Sequence, residues 1–279
     1  MNSRLCPEPS FGAVVLLAFC WALCPAGHAA GPDDVDYRQN VMKTLGAQVE
    51  AMEMVLQGRA PARDLEHHLA ALAATSSQVL PAFEPAASGG NAKTAVWDDW
   101  DDFSKRAGKQ ADGLAALRDA STSAEFSADR VREALHCTGC HDAYRLDMEG
   151  SAVETGDDPG QDAVLYRRSL MRAMDAQTAA VGQILAWMVA DRNFVLHLEA
   201  IAANARMSVG AFEPAVAGGE SLPRVWTDRE DFAARMRALA DGVGKTAETA
   251  RQLGKDAALV PLMDALTCDQ CHDLYRQSD

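Results

Sequence analysis

The chain is one unit written twice, and this duplication constrains its fold more than any other feature. Three segments of the first half recur 129 residues later: YRQNVM as YRRSLM, AFEPAASGG as AFEPAVAGG, and VWDDWDDF as VWTDREDF. A fourth, CTGCHDAYR at 137–145, recurs as CDQCHDLYR at 268–276, offset by 131. The second half therefore has two extra residues between Phe232 and Cys268, which we expect in its last inter-helix loop. Such self-similarity predicts two domains of the same architecture.

Each half has the apolar spacing of helices, and strand signals are nearly absent. Four helices are predicted per half; in the first half the third runs from about Val96 to Leu117 and the fourth from about Ser127 to Met148. The predicted fold class is all-α, with two tandem antiparallel four-helix bundles. The first helix of each half is marked by residues at a spacing near 3.6: Val41, Leu45, Val49, Met52 and Leu56 in one, and Leu170, Met174, Val181, Leu185 and Met188 in the other.

The first 30 residues are predicted to be a cleaved signal peptide. Arg4 precedes an apolar run from Phe11 to Leu23, and small residues follow, with cleavage near Ala29 or Ala30. A membrane anchor is the alternative, but the run is shorter than the roughly 20 residues that cross a bilayer. A lipoprotein is disfavoured because large residues precede the cysteines of this segment. The protein is therefore expected in the periplasm.

Removing the signal peptide leaves four cysteines, all within Cys-x-x-Cys-His motifs: Cys137, Cys140, Cys268 and Cys271. Two thiols at this spacing can both bond to one porphyrin, and the histidine that follows, His141 or His272, can bind its iron. A zinc site would need four ligands, and the motifs lie a domain apart. A thioredoxin-like thiol pair would need alternating strands and helices. We therefore predict two covalently bound haem c groups.

The charge is acidic and unevenly distributed. The chain has a formal net charge of −14. This argues against nucleic acid as a partner and suits redox partner proteins with basic surfaces, although it also serves solubility. Residues 31–146, 147–162 and 163–279 carry −6, −6 and −2. We assign residues 31–148 to the first haem domain, 149–162 to an acidic, flexible linker and 163–279 to the second haem domain.

Each half resembles cytochrome c prime, the class II c-type cytochromes. The resemblance rests on the C-terminal CTGCHDAYR and CDQCHDLYR motifs, the YRQ-type start of the first helix, and the Gly-Gly then Val-Trp loops at 89–97 and 218–226. It implies that His141 and His272 are the proximal iron ligands and that Arg145 and Arg276 lie near the proximal haem face. It also implies that Arg38 and Arg167 lie near haem propionates, the alternative being ordinary surface charges.

The residue five positions after Tyr37 or Tyr166 is where this chain departs from the high-spin members of the family. High-spin members of the family carry an apolar residue there, often Leu, whereas this chain has Met42 and Met171. A methionine thioether can bind haem iron, so the resemblance to low-spin members predicts Met42 and Met171 as sixth ligands. The alternative is core filling by a flexible side chain. His68 and His197 also recur and are rival ligands, while His67 and His136 are interpreted as surface residues.

These predictions favour an electron-transfer protein without enzymatic activity. Two irons ligated by His and Met would lack an open site for substrate. The alternative is a gas-binding protein that takes nitric oxide or carbon monoxide at an open or displaceable sixth site. A small peroxidase is disfavoured, because no distal acid–base group is apparent. We also expect the two bundles to pair through their first and second helices, and we expect no membrane-spanning segment in the mature chain.

Overall fold

The computed structural model describes residues 30–121, 127–146, 156 and 158–277, and both halves are α-helical. The predicted all-α fold of two tandem bundles is confirmed, and the described residues contain isolated β-bridges but no strand. The predicted signal peptide, residues 1–30, lies outside the described residues except for Ala30. The helices of the first half are α1 (Pro32–Leu56), α2 (Leu65–Phe83), α3 (Ala95–Asp98), α4 (Trp100–Asp119), α5 (Ala128–Leu135) and α6 (Cys137–Tyr144). Those of the second half are α7 (Pro159–Leu185), α8 (Phe194–Ala211), α9 (Arg224–Thr227), α10 (Arg229–Leu253), α11 (Lys255–Ala265) and α12 (Cys268–Tyr275).

The start of α7 lies inside the segment assigned to the linker. The Asp158 side chain accepts hydrogen bonds from the backbone amides of Gly160 (2.7 Å) and Gln161 (3.0 Å), and Pro159 is the first helical residue. An acidic cap followed by proline is a strong helix start. The linker assignment of 149–162 is therefore too long at its C-terminal end, because residues 159–162 are helical.

The predicted third and fourth helices are each interrupted. Asp99 adopts φ −127° and ψ 57° and separates α3 from α4. His136 is exposed, as expected, but its left-handed φ of 42° separates α5 from α6. In the second half, α10 reaches Leu253 and only Gly254 separates it from α11. The segment that holds the two extra residues is thus largely helical, and the expectation of a longer loop there is wrong.

The two halves pack on each other through their first and second helices. Helix α1 lies along α7, and α2 lies along α8, as expected. Two ion pairs that the duplication relates flank this contact: Arg63 to Glu213 (2.5 Å) and Arg192 to Glu84. The halves are thus related by an approximate two-fold axis. Among the described helices, none has the length and apolar character needed to cross a membrane.

Candidate functional site

Both Cys-x-x-Cys-His motifs lie on a short helix at the end of each half. Cys137 begins α6, and Cys268 begins α12. All four thiols are free and half-buried, and burial raises the pKa of each. His141 is exposed as a residue, yet partial desolvation of its ring and the nearby Arg145 lower its pKa. A neutral imidazole is the form that binds metals, so this end of the fold presents free thiols beside a histidine that favours the ligating form.

A tyrosine–aspartate–arginine cluster holds the short helix of each half. In the first half, the Tyr144 hydroxyl donates to Asp102 (2.6 Å), and Arg106 Nε donates to the same carboxylate (2.5 Å). These two hydrogen bonds lower the pKa of Asp102, and the carboxylate raises the pKa of Tyr144 to about 12. The second half repeats the cluster with Tyr275, Asp231 and Arg235. The sequence analysis assigned these residues no role, although their recurrence was the signal that could have found them.

The glycine-rich loop of each half caps the short helix. The Lys93 amide donates to the Tyr144 carbonyl, and the Leu146 amide donates to the Asn91 carbonyl, both at 2.9 Å. In the second half, Leu222 donates to Tyr275 in the same way (2.9 Å). Gly90 adopts φ 61°, and a Cβ there would lie 2.6 Å from Nε2 of Gln39 on α1. The loop therefore runs directly against the first helix and fixes the position of the motif relative to it.

Arg38 and Arg167 are buried and bind the glycine-rich loops. Arg38 donates to the carbonyls of Ala87 (3.1 Å) and Gly89 (2.9 Å). Arg167 donates to the Val216 carbonyl (2.9 Å), while its Nη1 is buried without a hydrogen-bond partner among the described residues. A buried guanidinium nitrogen without an acceptor is costly, and an acidic group such as a haem propionate would satisfy it. Arg167 therefore fits the predicted cofactor at this point, whereas both terminal nitrogens of Arg38 already donate to the loop.

Arg145 and Arg276 follow the short helices directly. Arg145 is half-buried, and its backbone forms a bridge with Ala92 of the loop. Arg276 is exposed, and its Nε donates to Glu220 (2.6 Å). Their predicted position near the proximal haem face stays a prediction.

Met42 and Met171 share an apolar cluster with the motif cysteines of their own half. Met42, on α1, is half-buried and belongs to the cluster that includes Cys137 and Cys140. Met171, on α7, is also half-buried and belongs to the cluster that includes Cys271. In each half the recurring methionine and at least one motif cysteine therefore pack against the same apolar core, and the core of the first half continues into the second.

The two rival histidines belong to the contact between the halves. His68 Nε2 lies 2.7 Å from the Tyr166 hydroxyl, and His197 Nε2 lies 2.7 Å from the Tyr37 hydroxyl. Both rings are fully buried, and desolvation lowers the pKa of each to about 3. Each histidine therefore joins the second helix of one half to the first helix of the other. Among the described residues, no group of three or more His, Cys, Asp or Glu is arranged to hold a metal ion.

The family model for cytochrome C' matches residues 33–145 and 162–276. The chain belongs to the cytochrome c' family. Three relatives each cover about one half of it. The cytochrome c' of Alcaligenes xylosoxydans xylosoxydans is 30% identical over 124 residues, 42% of this chain and 96% of the relative. The cytochrome c' of Pararhodospirillum photometricum is 33% identical over 121 residues (40% and 94%). Cytochrome c-556 of Agrobacterium tumefaciens is 31% identical over 120 residues (40% and 97%).

The extent of these matches defines the unit that is duplicated. Each relative is matched over nearly its whole length by less than half of this chain. The chain therefore contains two complete family units in tandem, each with its own Cys-x-x-Cys-His motif. Membership of the family implies a haem c cytochrome with covalently bound haem.

Proposed function

We propose that this protein is an exported diheme cytochrome that transfers electrons through two haems, each ligated by His and Met. Cys137 and Cys140 would attach one haem and Cys268 and Cys271 the other. His141 and His272 would be the proximal ligands, and Met42 and Met171 the sixth ligands. When bound, haem iron supplies reversible one-electron chemistry. Arg38 and Arg167 would bind the propionates, and Arg145 and Arg276 would lie on the proximal side.

One observation carries the proposal: the methionine recurs at the same repeat position in both halves, where it is half-buried and packs against an apolar core that also contacts at least one motif cysteine. A thioether held in place by a long helix loses little further freedom when it binds iron. The apolar surroundings also favour a neutral sulfur ligand over water. Saturated coordination suits electron transfer, because little rearrangement accompanies a change of charge on the iron.

Export supports the same function. The proposed signal peptide would deliver the chain to the periplasm, where thiols that are not attached to haem are prone to oxidation. An acidic protein without a membrane-spanning helix among its described residues could diffuse between redox partners with basic surfaces. These partners are defined only by their redox activity and the basic charge of their surfaces.

The absorption spectrum of the purified protein, with and without carbon monoxide, tests the ligation. Low-spin spectra and a slow, incomplete response to carbon monoxide are expected. Met42→Leu should convert one haem to high spin and open it to carbon monoxide, and Met171→Leu should do so for the other. Met54→Leu is the matched control, because Met54 is buried on the same helix but has Gln183 at its repeat position. It should leave both haems unchanged.

The outcome also decides between electron transfer and gas binding. If both haems of the wild-type protein are already high-spin and bind carbon monoxide rapidly, the ligation proposal is wrong and gas binding takes its place. A single methionine variant with an unchanged spectrum would show that this methionine only fills the core.

A further inference from the structure

Four large apolar side chains of the second half are more than two-thirds exposed, and we call them the apolar patch: Trp187 (74% exposed), Leu253 (72%), Val260 (69%) and Met263 (77%). Val260 and Met263 are three residues apart on α11 and therefore share one of its faces. Lys255, the first residue of α11, holds its ammonium 4.0 Å from the centroid of the Trp187 ring. The patch therefore follows α11 from its N-terminus toward α12.

The same positions of the first half are polar. At the offset of 131, Val260 corresponds to Asp129 and Met263 to Arg132. Buried Leu262 corresponds to buried Val131, which fixes this register. Arg132 forms an ion pair with Glu53 at 2.8 Å. Because one half folds with charged residues here, the apolar patch is not a requirement of the fold.

Trp187 is a second residue of the patch that is unfavourable where it lies. Its backbone is left-handed, with φ 61°, and at the corresponding position the first half has Gly58, with φ 72°. Glycine adopts this conformation freely, whereas a bulky residue is strained in it. The second half thus replaces a glycine by a strained residue whose large ring is left in solvent. Strain and exposure together are typical of residues that serve a functional site.

The surroundings of the patch are acidic. Asp256 and Asp264 are exposed and lie within four residues of patch members in the sequence, and exposed Asp191 is paired with Lys255. The nearby Arg251 is ion-paired with Glu199 and Glu248. Lys255 is already neutralised, because its ammonium lies 3.3 Å from Asp191 and its side chain is largely covered. A partner that complements this surface has an apolar centre with lysines or arginines around it.

We propose that the apolar patch docks a basic electron-transfer protein along α11, the helix that leads to the second haem motif. This inference rests on the proposed function. Helix α11 leads directly into α12, and Met263 lies five residues before Cys268. A small apolar centre with a charged rim matches the transient complexes that redox proteins form. The second half is therefore the half that binds this partner.

Carbodiimide cross-linking to equine cytochrome c, a small basic redox protein used as the probe, tests the docking. Cross-links between its lysines and Asp256, Asp264 or Asp191 are expected. Trp187→Gly and Met263→Arg, which install the residues of the first half, should each lower the cross-link yield and the second-order rate of electron transfer by about fivefold or more. Leu146→Ser, at an exposed apolar residue of the first half, should change neither.

The alternative outcomes are distinct. Cross-links spread over the acids of the first half, or variants with wild-type yield, overturn the docking site. Self-association in sedimentation that Met263→Arg abolishes would also overturn it, because the patch would then bind a second copy of the chain. Binding to phosphatidylglycerol vesicles that depends on Met263 would overturn it as well, because the patch would then bind lipid. Cross-links at the patch without electron transfer leave the docking intact and contradict the proposed function instead. Circular dichroism of each variant checks that it folds.

Discussion

At the contact between the halves, a buried chain of neutral hydrogen bonds runs from one domain to the other. Asn193 Nδ2 donates to the Tyr37 hydroxyl (2.9 Å), which lies 2.7 Å from His197 Nε2. His197 Nδ1 contacts the Gln177 side-chain oxygen, and Gln177 Nε2 donates to the Thr75 hydroxyl (3.3 Å). An amide oxygen only accepts, so the proton of His197 is on Nδ1 and Tyr37 donates to Nε2. Each of these hydrogen bonds therefore has one assigned donor and one assigned acceptor, and the assignment requires the neutral form of His197.

The corresponding network on the other side of the two-fold axis has fewer hydrogen bonds. His68 meets the Tyr166 hydroxyl, but Gln48, which corresponds to Gln177, is buried with no hydrogen-bond partner for its side chain among the described residues. The duplication therefore supplies two versions of one contact with different numbers of hydrogen bonds.

Removing the two histidines should have unequal effects. His197→Leu leaves the Tyr37 hydroxyl proton without an acceptor and the Gln177 oxygen without a donor, which costs about 2–6 kcal/mol at about 1–3 kcal/mol for each buried group. His68→Leu orphans the Tyr166 hydroxyl and should cost about 1–3 kcal/mol. His67→Leu, at the half-buried neighbour, should stay within about 0.5 kcal/mol. Urea unfolding of the holoprotein measures all three, and equal losses at His68 and His197 would contradict the assigned networks.

The same histidines make stability depend on pH. Desolvation lowers the pKa of His68 and His197 to about 3 in the folded protein, whereas unfolded histidine titrates near about 6.5. Between these values the unfolded chain binds protons that the folded chain excludes, so stability falls as pH drops from about 6.5 toward about 3. A His68→Gln/His197→Gln double variant should show a shallower decline of the unfolding free energy over this window. An unchanged slope in the double variant would rule these residues out as its cause.

At the scale of the elements, the single residue Gly254 connects two long helices. It joins α10 to α11 with φ 87° and ψ 167°, a region essentially restricted to glycine. A Cβ at this position would meet nothing within 4 Å, so Gly254→Ala tests backbone conformation alone. We expect a loss of about 1–3 kcal/mol. Gly46→Ala, within α1 and also without a steric neighbour, should instead stabilise by up to about 1 kcal/mol. Thermal unfolding of the two variants should move in opposite directions.

The helices themselves could be predicted from the sequence, but their interruptions could not. Periodic apolar residues such as Val41 and Leu45 are buried on α1, because spacing near 3.6 directly encodes a helix face. The break at His136 left no such signal, since histidine is only occasionally found at positive φ and is common within helices as well. The roles of His68 and His197 were also hidden, because one sequence does not say which recurring polar residues face another domain.

At the scale of the molecule, the two family units form a dimer within one chain. Their contact combines apolar helix packing, the buried histidine networks and the flanking ion pairs of Arg63 and Arg192. Both first helices, which carry the proposed methionine ligands, lie in this contact. The two proposed haem sites are therefore connected through packed helices as well as through the linker.

Cleaving the linker should leave the molecule assembled. Limited proteolysis is expected to nick the acidic segment between the halves first and to give two haem-bearing fragments. Because the contact between the halves is buried and hydrogen-bonded, the fragments should co-elute from a sizing column under native conditions and separate only in denaturant. Fragments that separate without denaturant would show that the linker holds the halves together.

The number of covalent haems is the most direct test of the account. Intact-mass spectrometry of the purified mature protein should give the mass of the chain cleaved near Ala29 or Ala30 plus two haems. Peptide mapping should then place one haem on Cys137 and Cys140 and the other on Cys268 and Cys271. A correctly matured protein with one haem, or with none, would contradict the account of two equivalent haem-binding halves.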